Sequence, residues 1–167
     1  MLFLKIWYRV TGFFTLAFFK LLYGRNFQHG KAFHVRAGFH VSIEDNGTLH
    51  VGDDVFFNNY CSVNVRSDVT IGDGTIFGEN VHIYDHNHRY GNPFLPIKEQ
   101  GYTQAPIHIG AHCWIGTNTV ILKGVTIGDN VVAGAGCVIY KDIPSNTIIM
   151  QNGQVHSIIA TTKEHLA

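Results

Sequence analysis

The residues from 107 to 143 repeat with a period of six. Read from Ile109, six consecutive units open with an aliphatic residue, at positions 109, 115, 121, 127, 133 and 139. A glycine or another small residue usually follows the opener, and a small or β-branched residue stands four places after it. This period fits neither an α-helix nor a simple hairpin array. It is typical of a β-solenoid, in which each unit forms one short flat side and the opener points into the shaft.

In these units the chain resembles the hexapeptide-repeat acyltransferases. The resemblance implies an all-β fold, a left-handed parallel β-helix with three hexapeptides in each triangular turn. We expect this β-helix over residues 25–155, with one projecting loop over 84–106. An N-terminal amphipathic helix is expected over residues 1–24 and a short polar tail over 156–167.

The N-terminal stretch is rich in aromatic and aliphatic residues. Its longest uncharged run, 10–19, is shorter than the roughly 20 apolar residues that a membrane span needs. On a helical wheel, the positions in one narrow stripe are Lys5, Arg9, Gly12 and Lys20. A helix with a thin basic stripe and a broad aromatic face favours peripheral contact with a membrane. The alternative is packing against its own solenoid or a neighbouring subunit.

Charge is unevenly distributed along a chain whose formal net charge is zero. Residues 1–43 contain six basic residues and no acid, since the first acidic residue is Glu44. This asymmetry favours an anionic surface as the partner of the N-terminal part. The repeats have no basic patch, so nucleic acid is a poor candidate partner.

The cysteines are three in number, Cys61, Cys113 and Cys137, and none forms a C-x-x-C pair. This pattern argues against a disulfide framework and against a zinc knuckle. All three fall at the small inward position of a hexapeptide, where a buried thiol acts as a small hydrophobe. A reducing cytosol is consistent with this use.

The six-residue period breaks over residues 84–106, which must project from one corner of the solenoid. The loop begins with Asp85-His86-Asn87-His88-Arg89, and histidine is the natural general base at neutral pH. The resemblance to the sugar and xenobiotic acetyltransferases implies that His88 is the essential base, with His86 as the second choice. Asp85 could hold the imidazole in the correct tautomer, as could a backbone carbonyl oxygen.

A metal site is the competing use of these histidines. Carbonic anhydrases with this fold bind zinc through three histidines across a subunit boundary. The spacings here, at 82, 86 and 88 and at 108 and 112, do not match that arrangement. We therefore expect no metal.

Three residues are candidates for binding the acceptor. In the galactoside and maltose acetyltransferase branch, an Asn aligned with Asn58 binds the acceptor sugar. That branch has an acceptor-binding Asp where this chain has Arg66, and a cation there favours an acceptor carrying a carboxylate or phosphate. Trp114 belongs to a Trp-Ile-Gly-small segment and would line the acceptor pocket with its aromatic face.

The resemblance implies acetyl-CoA as the acyl donor, with its pantetheine arm along the groove between neighbouring shafts. Backbone groups at small residues would hold that arm, which makes Gly116, Thr117, Gly134 and Ala135 candidate contacts. For residues 134–136 tight packing between coils is an equally good explanation. Lys141 is a candidate for holding the CoA phosphates.

These observations predict an O-acetyltransferase that transfers acetyl directly from acetyl-CoA to a hydroxyl of a sugar or saccharide intermediate. The resemblance implies a homotrimer with active sites between subunits. We expect a cytoplasmic protein that works at the inner face of the cell membrane. Two alternatives stay open: an acetyltransferase for an amino sugar or another small molecule, and a non-catalytic solenoid scaffold.

Overall fold

The computed structural model describes residues 2–151 and 155–157. One α-helix, α1 (Leu2–Tyr23), opens the chain, and short 3₁₀ helices follow at Gly24–Asn26 and Ile97–Glu99. The strands in chain order are β1 (Phe27–His29), β2 (His34–Val35), β3 (His40–Ile43), β4 (Thr48–Val51), β5 (Phe56–Phe57), β6 (Ser62–Val65), β7 (Asp68–Ile71), β8 (Ile76–Phe77), β9 (His82–Tyr84), β10 (His86–His88), β11 (Tyr102–Gln104), β12 (Ile107–Ile109), β13 (Trp114–Ile115), β14 (Val120–Leu122), β15 (Thr126–Ile127), β16 (Val132–Ala133), β17 (Val138–Ile139), β18 (Thr147–Ile149) and β19 (Val155–Ser157).

Three parallel sheets form the three faces of a prism. Face A contains β1, β4, β7, β12 and β15; face B contains β2, β5, β8, β13, β16 and β18; face C contains β3, β6, β9, β14 and β17. The chain visits A, B and C in turn, so every face gains one strand with each coil. The solenoid has about five coils and is the predicted left-handed β-helix. Two pairings are antiparallel, β10 with β11 and β18 with β19.

The openers of the hexapeptides fill the shaft, as the period predicts. Val63, Ile83, Ile115 and Ile121 are fully buried. Near the N-terminal end the shaft is aromatic, with Phe57 and Phe77 stacked at 4.0 Å between ring centroids. Burying one such side chain contributes about 1.5–3 kcal/mol. The shaft therefore supplies the rigid support on which any site must stand.

All extra residues leave the prism at one corner, between faces C and A. Inward residues follow one another every six residues from A to B and from B to C. From C to A the steps are 10 residues (Val41 to Val51), 8 (Val63 to Ile71), 26 (Ile83 to Ile109), 6 (Ile121 to Ile127) and 4 (Ile139 to Ile143, which pairs with Ile127). We call this edge the C–A corner, and the edge between faces B and C the B–C corner. The C–A corner carries residues 44–47, 66–67 and 85–106.

The N-terminal helix agrees with the predicted segment to within one residue at each end. It lies against the first coil, where it contacts β1 and β2. Among the described residues, no helical segment combines the length and hydropathy needed to cross a bilayer. Most of the predicted tail over 156–167 lies outside the described residues, and β19 runs past the predicted boundary at 155. The domain limits stay predictions.

Candidate active site

The loop over 84–106 forms a β-hairpin arm. β10 and β11 pair antiparallel, with His86 opposite Gln104 and His88 opposite Tyr102. The strand ends are closed by bonds from the Arg89 N–H to Gly101 O (2.9 Å) and from the Ala105 N–H to Asp85 O (2.9 Å). The loop predicted from the break in period is therefore a defined arm whose first strand carries both candidate histidines.

Asp85 fixes the base of the arm to the coil below. Its carboxylate is fully buried. Its oxygens accept from the Arg66 N–H at 2.9 and 3.0 Å and from the Ser67 N–H at 2.7 Å. Hydrogen bonds to a carboxylate are roughly twice as strong as neutral ones. Asp85 thus joins the two inserted segments of the C–A corner.

The two histidines differ in their surroundings. The Nδ1 of His86 lies 3.0 Å from Asp85 Oδ1, and its side chain is 18% exposed. His88 is exposed, with its ring 4.4 Å from the ring of Tyr102. The carboxylate that the sequence offered as a partner for His88 therefore contacts His86. His88 is the imidazole that remains accessible to a substrate.

Arg66 holds the arm from outside. Its guanidinium forms ion pairs with Glu44 and Asp45, and its Cζ lies 3.7 Å from the centroid of the Tyr102 ring. Its side chain is only 13% exposed. Two carboxylates already match its charge, so this geometry favours an anchoring role over the predicted binding of an anionic acceptor. We call Arg66, Glu44, Asp45 and Tyr102 the clamp.

Tyr102, Glu44 and Asp45 were not identified from the sequence. Their common signal is position: Glu44 and Asp45 lie in the four extra residues of the first coil, and Tyr102 lies in the largest insertion. Insertions that leave the same corner of successive coils stack on each other. Counting residues between inward positions would therefore have brought these groups together.

The predicted cofactor contacts lie along the B–C corner. Gly116 and Thr117 follow β13, and Gly134 and Ala135 follow β16 one coil further on. Backbone bonds of 2.8 Å join the coils here, from Gly116 N–H to Ala133 O and from Gly136 N–H to Thr117 O. The result is a column of small residues with Ala135 exposed at its edge.

Close packing between coils explains one of these glycines. A Cβ on Gly116 would lie 2.6 Å from Ala135 N and 2.7 Å from Ala133 O, which no side chain could relieve. A Cβ on Gly134 would first meet the flexible Met150 side chain, at 2.9 Å. The packing requirement is therefore strict at Gly116 and weaker at Gly134. The column therefore presents backbone groups and small side chains, the kind of contact that the resemblance implies for a pantetheine chain.

Two acceptor candidates lie beside the same corner. Asn58 Oδ1 accepts from Arg36 Nη1 at 3.0 Å and from the Asn59 N–H at 2.9 Å. Trp114 is 54% exposed on the outer side of face B, two residues before Gly116 in sequence. These residues share an edge with the predicted cofactor contacts.

Lys141 lies elsewhere. It is exposed after β17 at the C–A corner of the last coil, with its Nζ 5.5 Å from the Tyr140 ring centroid. The structure therefore separates Lys141 from the small-residue column of its own chain.

The candidate site is thus divided between two edges of the prism. The histidines stand at the C–A corner, and the acceptor and cofactor candidates stand at the B–C corner, with face C between them. A single chain does not bring these residues together.

The thiols offer no nucleophile. Cys61, Cys113 and Cys137 are free and buried. Burial raises the pKa of Cys61 to about 11, and also raises the pKa of Cys113 and Cys137. A thiol with a raised pKa is protonated at neutral pH and reacts poorly. Within residues 2–151, no group of three His, Cys, Asp or Glu side chains is arranged to hold a metal ion.

Comparison with known proteins gives a family match over residues 106–141, to the hexapeptide repeat of succinyl-transferase. The chain is 31% identical over 134 residues to the putative lipopolysaccharide biosynthesis O-acetyl transferase WbbJ of Escherichia coli (strain K12), covering 76% of this chain and 65% of that one. It is 38% identical over 126 residues to the galactoside O-acetyltransferase of the same organism, covering 75% of this chain and 50% of that one. The chain therefore spans about half to two thirds of the length of these curated relatives.

Solved structures show the same fold at similar identity. A maltose O-acetyltransferase from Clostridium difficile 630 superposes with a TM-score of 0.71 at 32% identity, over 85% of this chain and 75% of that one. A galactoside acetyltransferase in complex with coenzyme A gives 0.73 at 30% identity, over 84% and 70%.

Proposed function

Because the chain belongs to the hexapeptide-repeat acetyltransferases, we propose that it transfers acetyl from acetyl-CoA to a hydroxyl of a sugar or saccharide intermediate. The observation that carries this proposal is the accessible imidazole of His88, held on a rigid arm at the break in the coil. The relatives named for sugar O-acetylation support the acceptor class.

In the proposed reaction His88 removes the proton from the acceptor hydroxyl. The resulting oxygen nucleophile attacks the thioester carbonyl, and backbone N–H groups stabilise the oxyanion that develops. Collapse of the tetrahedral intermediate breaks the carbon–sulfur bond, and the imidazolium returns its proton to the departing thiolate. The buried, protonated thiols support direct transfer, since none is available to form an acyl-enzyme.

We assign the remaining candidates by their position. His86 positions the arm through Asp85, which in turn bonds to the backbone of the coil below. Gly116, Thr117, Gly134 and Ala135 line the channel for the pantetheine chain. Asn58 and Trp114 contact the acceptor, whose ring packs against the exposed indole.

The division of the site between two corners supports a homotrimer. In a ring of three parallel prisms, the C–A corner of one chain can face the B–C corner of the next. The arm of one subunit would then place His88 over the small-residue column of its neighbour. Each of the three interfaces would hold one complete site.

We propose a cytoplasmic location, at the inner face of the cell membrane. The free, buried cysteines fit a reducing compartment. The basic and aromatic N-terminal helix is the segment that would contact the membrane.

Turnover of labelled acetyl-CoA with neutral and charged saccharide acceptors tests the proposal. His88→Ala should lower kcat by about 10²–10⁴-fold, the usual contribution of a general base. His108→Ala is the control, because this exposed histidine lies on face A outside the arm, with its Nδ1 2.8 Å from Thr70 Oγ1. Equal activity of His88→Ala and the unmodified protein would remove the mechanism, and a lack of transfer to any acceptor would favour a scaffold.

A further inference from the structure

The side of α1 that packs on the prism is the side that carries the basic stripe. Leu16 and Phe19 are buried against the first coil. A Cβ on Gly12 would lie 2.6 Å from Val35 O, so the helix approaches the coil there as closely as a glycine permits. On the helical wheel, Gly12 and Leu16 lie within the arc that Arg9 and Lys20 also occupy.

Polar contacts fix this orientation. Lys20 Nζ donates to Phe27 O at 2.7 Å, and the Tyr23 hydroxyl donates to Val41 O at 3.1 Å. The basic stripe of the helix that is predicted to contact a membrane is therefore partly turned toward the protein. The aromatic half of the helix is consequently turned away from it.

The opposite half of the helix has no charge and is exposed. We call this half the outer face; its members are Phe3, Leu4, Ile6, Trp7, Val10, Phe13, Phe14, Phe18, Leu21 and Leu22. The hydroxyls next to it are bonded within the helix, Thr11 to Trp7 O at 2.9 Å and Thr15 to Thr11 O at 3.0 Å. Because these hydroxyls donate to backbone carbonyls of the helix, they have less need of hydrogen bonds to water. Contiguous apolar patches of this kind mark interaction sites.

Charge identifies the partner of the outer face. Arg9, Arg25 and Lys31 are exposed on the helix and on the first turns after it. The first 43 residues contain six basic residues and no acid. Lys31 lies beside Asp53, whose Oδ1 accepts its backbone N–H at 2.7 Å. An apolar strip on a basic segment without acidic residues is complementary to a bilayer with anionic headgroups, which attracts both components.

We propose that the outer face of α1 inserts into the headgroup and acyl boundary of an anionic bilayer, with the helix lying in the membrane plane. The helix is about 33 Å long at 1.5 Å per residue. It closes the N-terminal end of the prism, so the coils rise away from the lipid. In the proposed trimer, three helices lie at the same end and bind one surface together, which strengthens weak single contacts.

This orientation sets the height of the site above the lipid. The arm leaves the third coil, and neighbouring strands lie about 4.8 Å apart, so its base is about 10 Å along the shaft from the first coil. With a helix about 10 Å in diameter beneath that coil, His88 stands within roughly 20 Å of the lipid surface. A saccharide attached to a lipid would reach it. This assignment of the acceptor rests on the proposed acetyl transfer.

Vesicle flotation of the full chain tests the membrane surface without any substrate. We expect the protein to float with vesicles of phosphatidylglycerol and phosphatidylcholine, and weakly with phosphatidylcholine alone. The variant Trp7→Ser/Phe14→Ser/Leu21→Ser should bind at least tenfold more weakly. The matched control is Tyr90→Ser/Phe94→Ser/Ile97→Ser, which removes three exposed apolar side chains from the tip of the arm and should bind normally.

Arg25→Gln/Lys31→Gln tests the charge contribution. Binding to the anionic vesicles should fall about fivefold for each basic residue removed, with no change on neutral vesicles. Equal flotation of the outer-face variant and the unmodified protein would overturn the proposal. The proposal would also be overturned if the unmodified protein did not bind vesicles and the outer-face variant formed a smaller oligomer. The outer face would then bind a second copy of the chain.

The same variant separates this inference from the proposed function. The outer-face variant should lose acetylation of a vesicle-held glycolipid at least tenfold and keep its turnover of a free sugar. Loss of both activities, with vesicle binding intact, would contradict the assigned role of the face. Absence of acetyl transfer in every variant would sink the proposed function and leave the flotation result valid.

Discussion

The B–C and C–A corners of this prism differ in the regularity of their chain length and in the side chains they carry. At the B–C corner every coil has four residues between its strands. Small residues stack on each other there from Gly78 to Ala135. At the C–A corner the step between inward residues varies from four to 26, and charged side chains gather there, with the buried Asp85 and the half-buried Arg66 at their centre. The regular B–C corner therefore stacks small residues and backbone groups, and the irregular C–A corner gathers charged and titratable side chains.

The comparison explains why neither corner is a site by itself. The column of small residues at the B–C corner offers mainly backbone groups, which can hold an extended chain but include no general base. The irregular corner supplies the imidazole, while the candidate cofactor contacts of the same chain lie at the other corner. Under the proposed function, the two corners would therefore complete the site by meeting across a subunit boundary.

Among substitutions that leave His88 in place, the largest effect should come from loosening the irregular corner. Arg66→Met removes the two ion pairs and the stacking on Tyr102 that hold the arm. We expect kcat/KM to fall about ten- to a hundredfold, because a small displacement of a catalytic group is costly. Turnover of labelled acetyl-CoA measures it, with Lys98→Met as a control that removes one exposed charge from the tip of the arm.

The acceptor panel distinguishes the clamp from the role that the sequence predicted. If Arg66 acts only as part of the clamp, Arg66→Met should lower kcat/KM equally for neutral and anionic acceptors. A loss confined to anionic acceptors, seen as a raised KM, would mean that Arg66 binds the acceptor after all.

A smaller effect, on stability, should follow from Asp85→Asn. The amide keeps the shape but loses the charge that accepts bonds from Arg66 N–H, Ser67 N–H and His86. We expect the free energy of unfolding to fall by about 2 kcal/mol. Urea titration measures the change.

Asp73→Asn is the control on a regular corner. Asp73 is exposed and accepts one bond, from the Asp53 N–H at 2.7 Å. Its replacement should change the free energy of unfolding by less than about 1 kcal/mol. Equal changes in unfolding free energy for Asp85→Asn and Asp73→Asn would show that the buried carboxylate at the C–A corner stabilises the fold no more than an exposed one.

The last effect concerns the buried thiol inside the B–C corner and appears only at alkaline pH. Burial raises the pKa of Cys61 to about 11, above the value of an unfolded thiol. Above pH about 9 the unfolded chain loses this proton and the folded chain keeps it, so stability is full below that pH and declines toward pH 11. The decline is at most about 1.4 kcal/mol for each pH unit.

Comparison with Cys61→Ala isolates this contribution, because other groups titrate equally in both proteins. The difference in unfolding free energy between them should narrow or change sign as pH rises from 9 to 11. A difference that does not vary with pH would mean that this corner is open enough to hydrate the thiolate.

The fold followed from the sequence because the inward residues repeat locally. The shaft is already indicated within thirteen residues by Ile109, Ile115 and Ile121. No long-range contact has to be known to predict that these residues point inward. The arm was predicted for the same reason, since a solenoid must eject whatever interrupts its period. The helix was predicted from its apolar residues, but its orientation depended on the first coil.

The polar contacts of the site could not be predicted in the same way. Arg66 meets Glu44 and Asp45 only because two insertions of different length leave the same corner of successive coils. Asp85 contacts its neighbour His86 because its carboxylate is already fixed by the coil below. Such contacts depend on the register between coils, which the six-residue period does not specify in the irregular part.

The most direct test of the divided site mixes two inactive chains. His88→Ala disables the C–A corner, and Ala135→Tyr fills the channel at the B–C corner, so each variant alone should retain about 1% of the activity or less. The two chains, with different tags, are co-expressed and purified through both tags. In a cyclic trimer every such mixed assembly has one interface with both corners intact, so we predict about one third of the unmodified activity. Mixed trimers no more active than their parents would place the whole site within one chain and contradict the account.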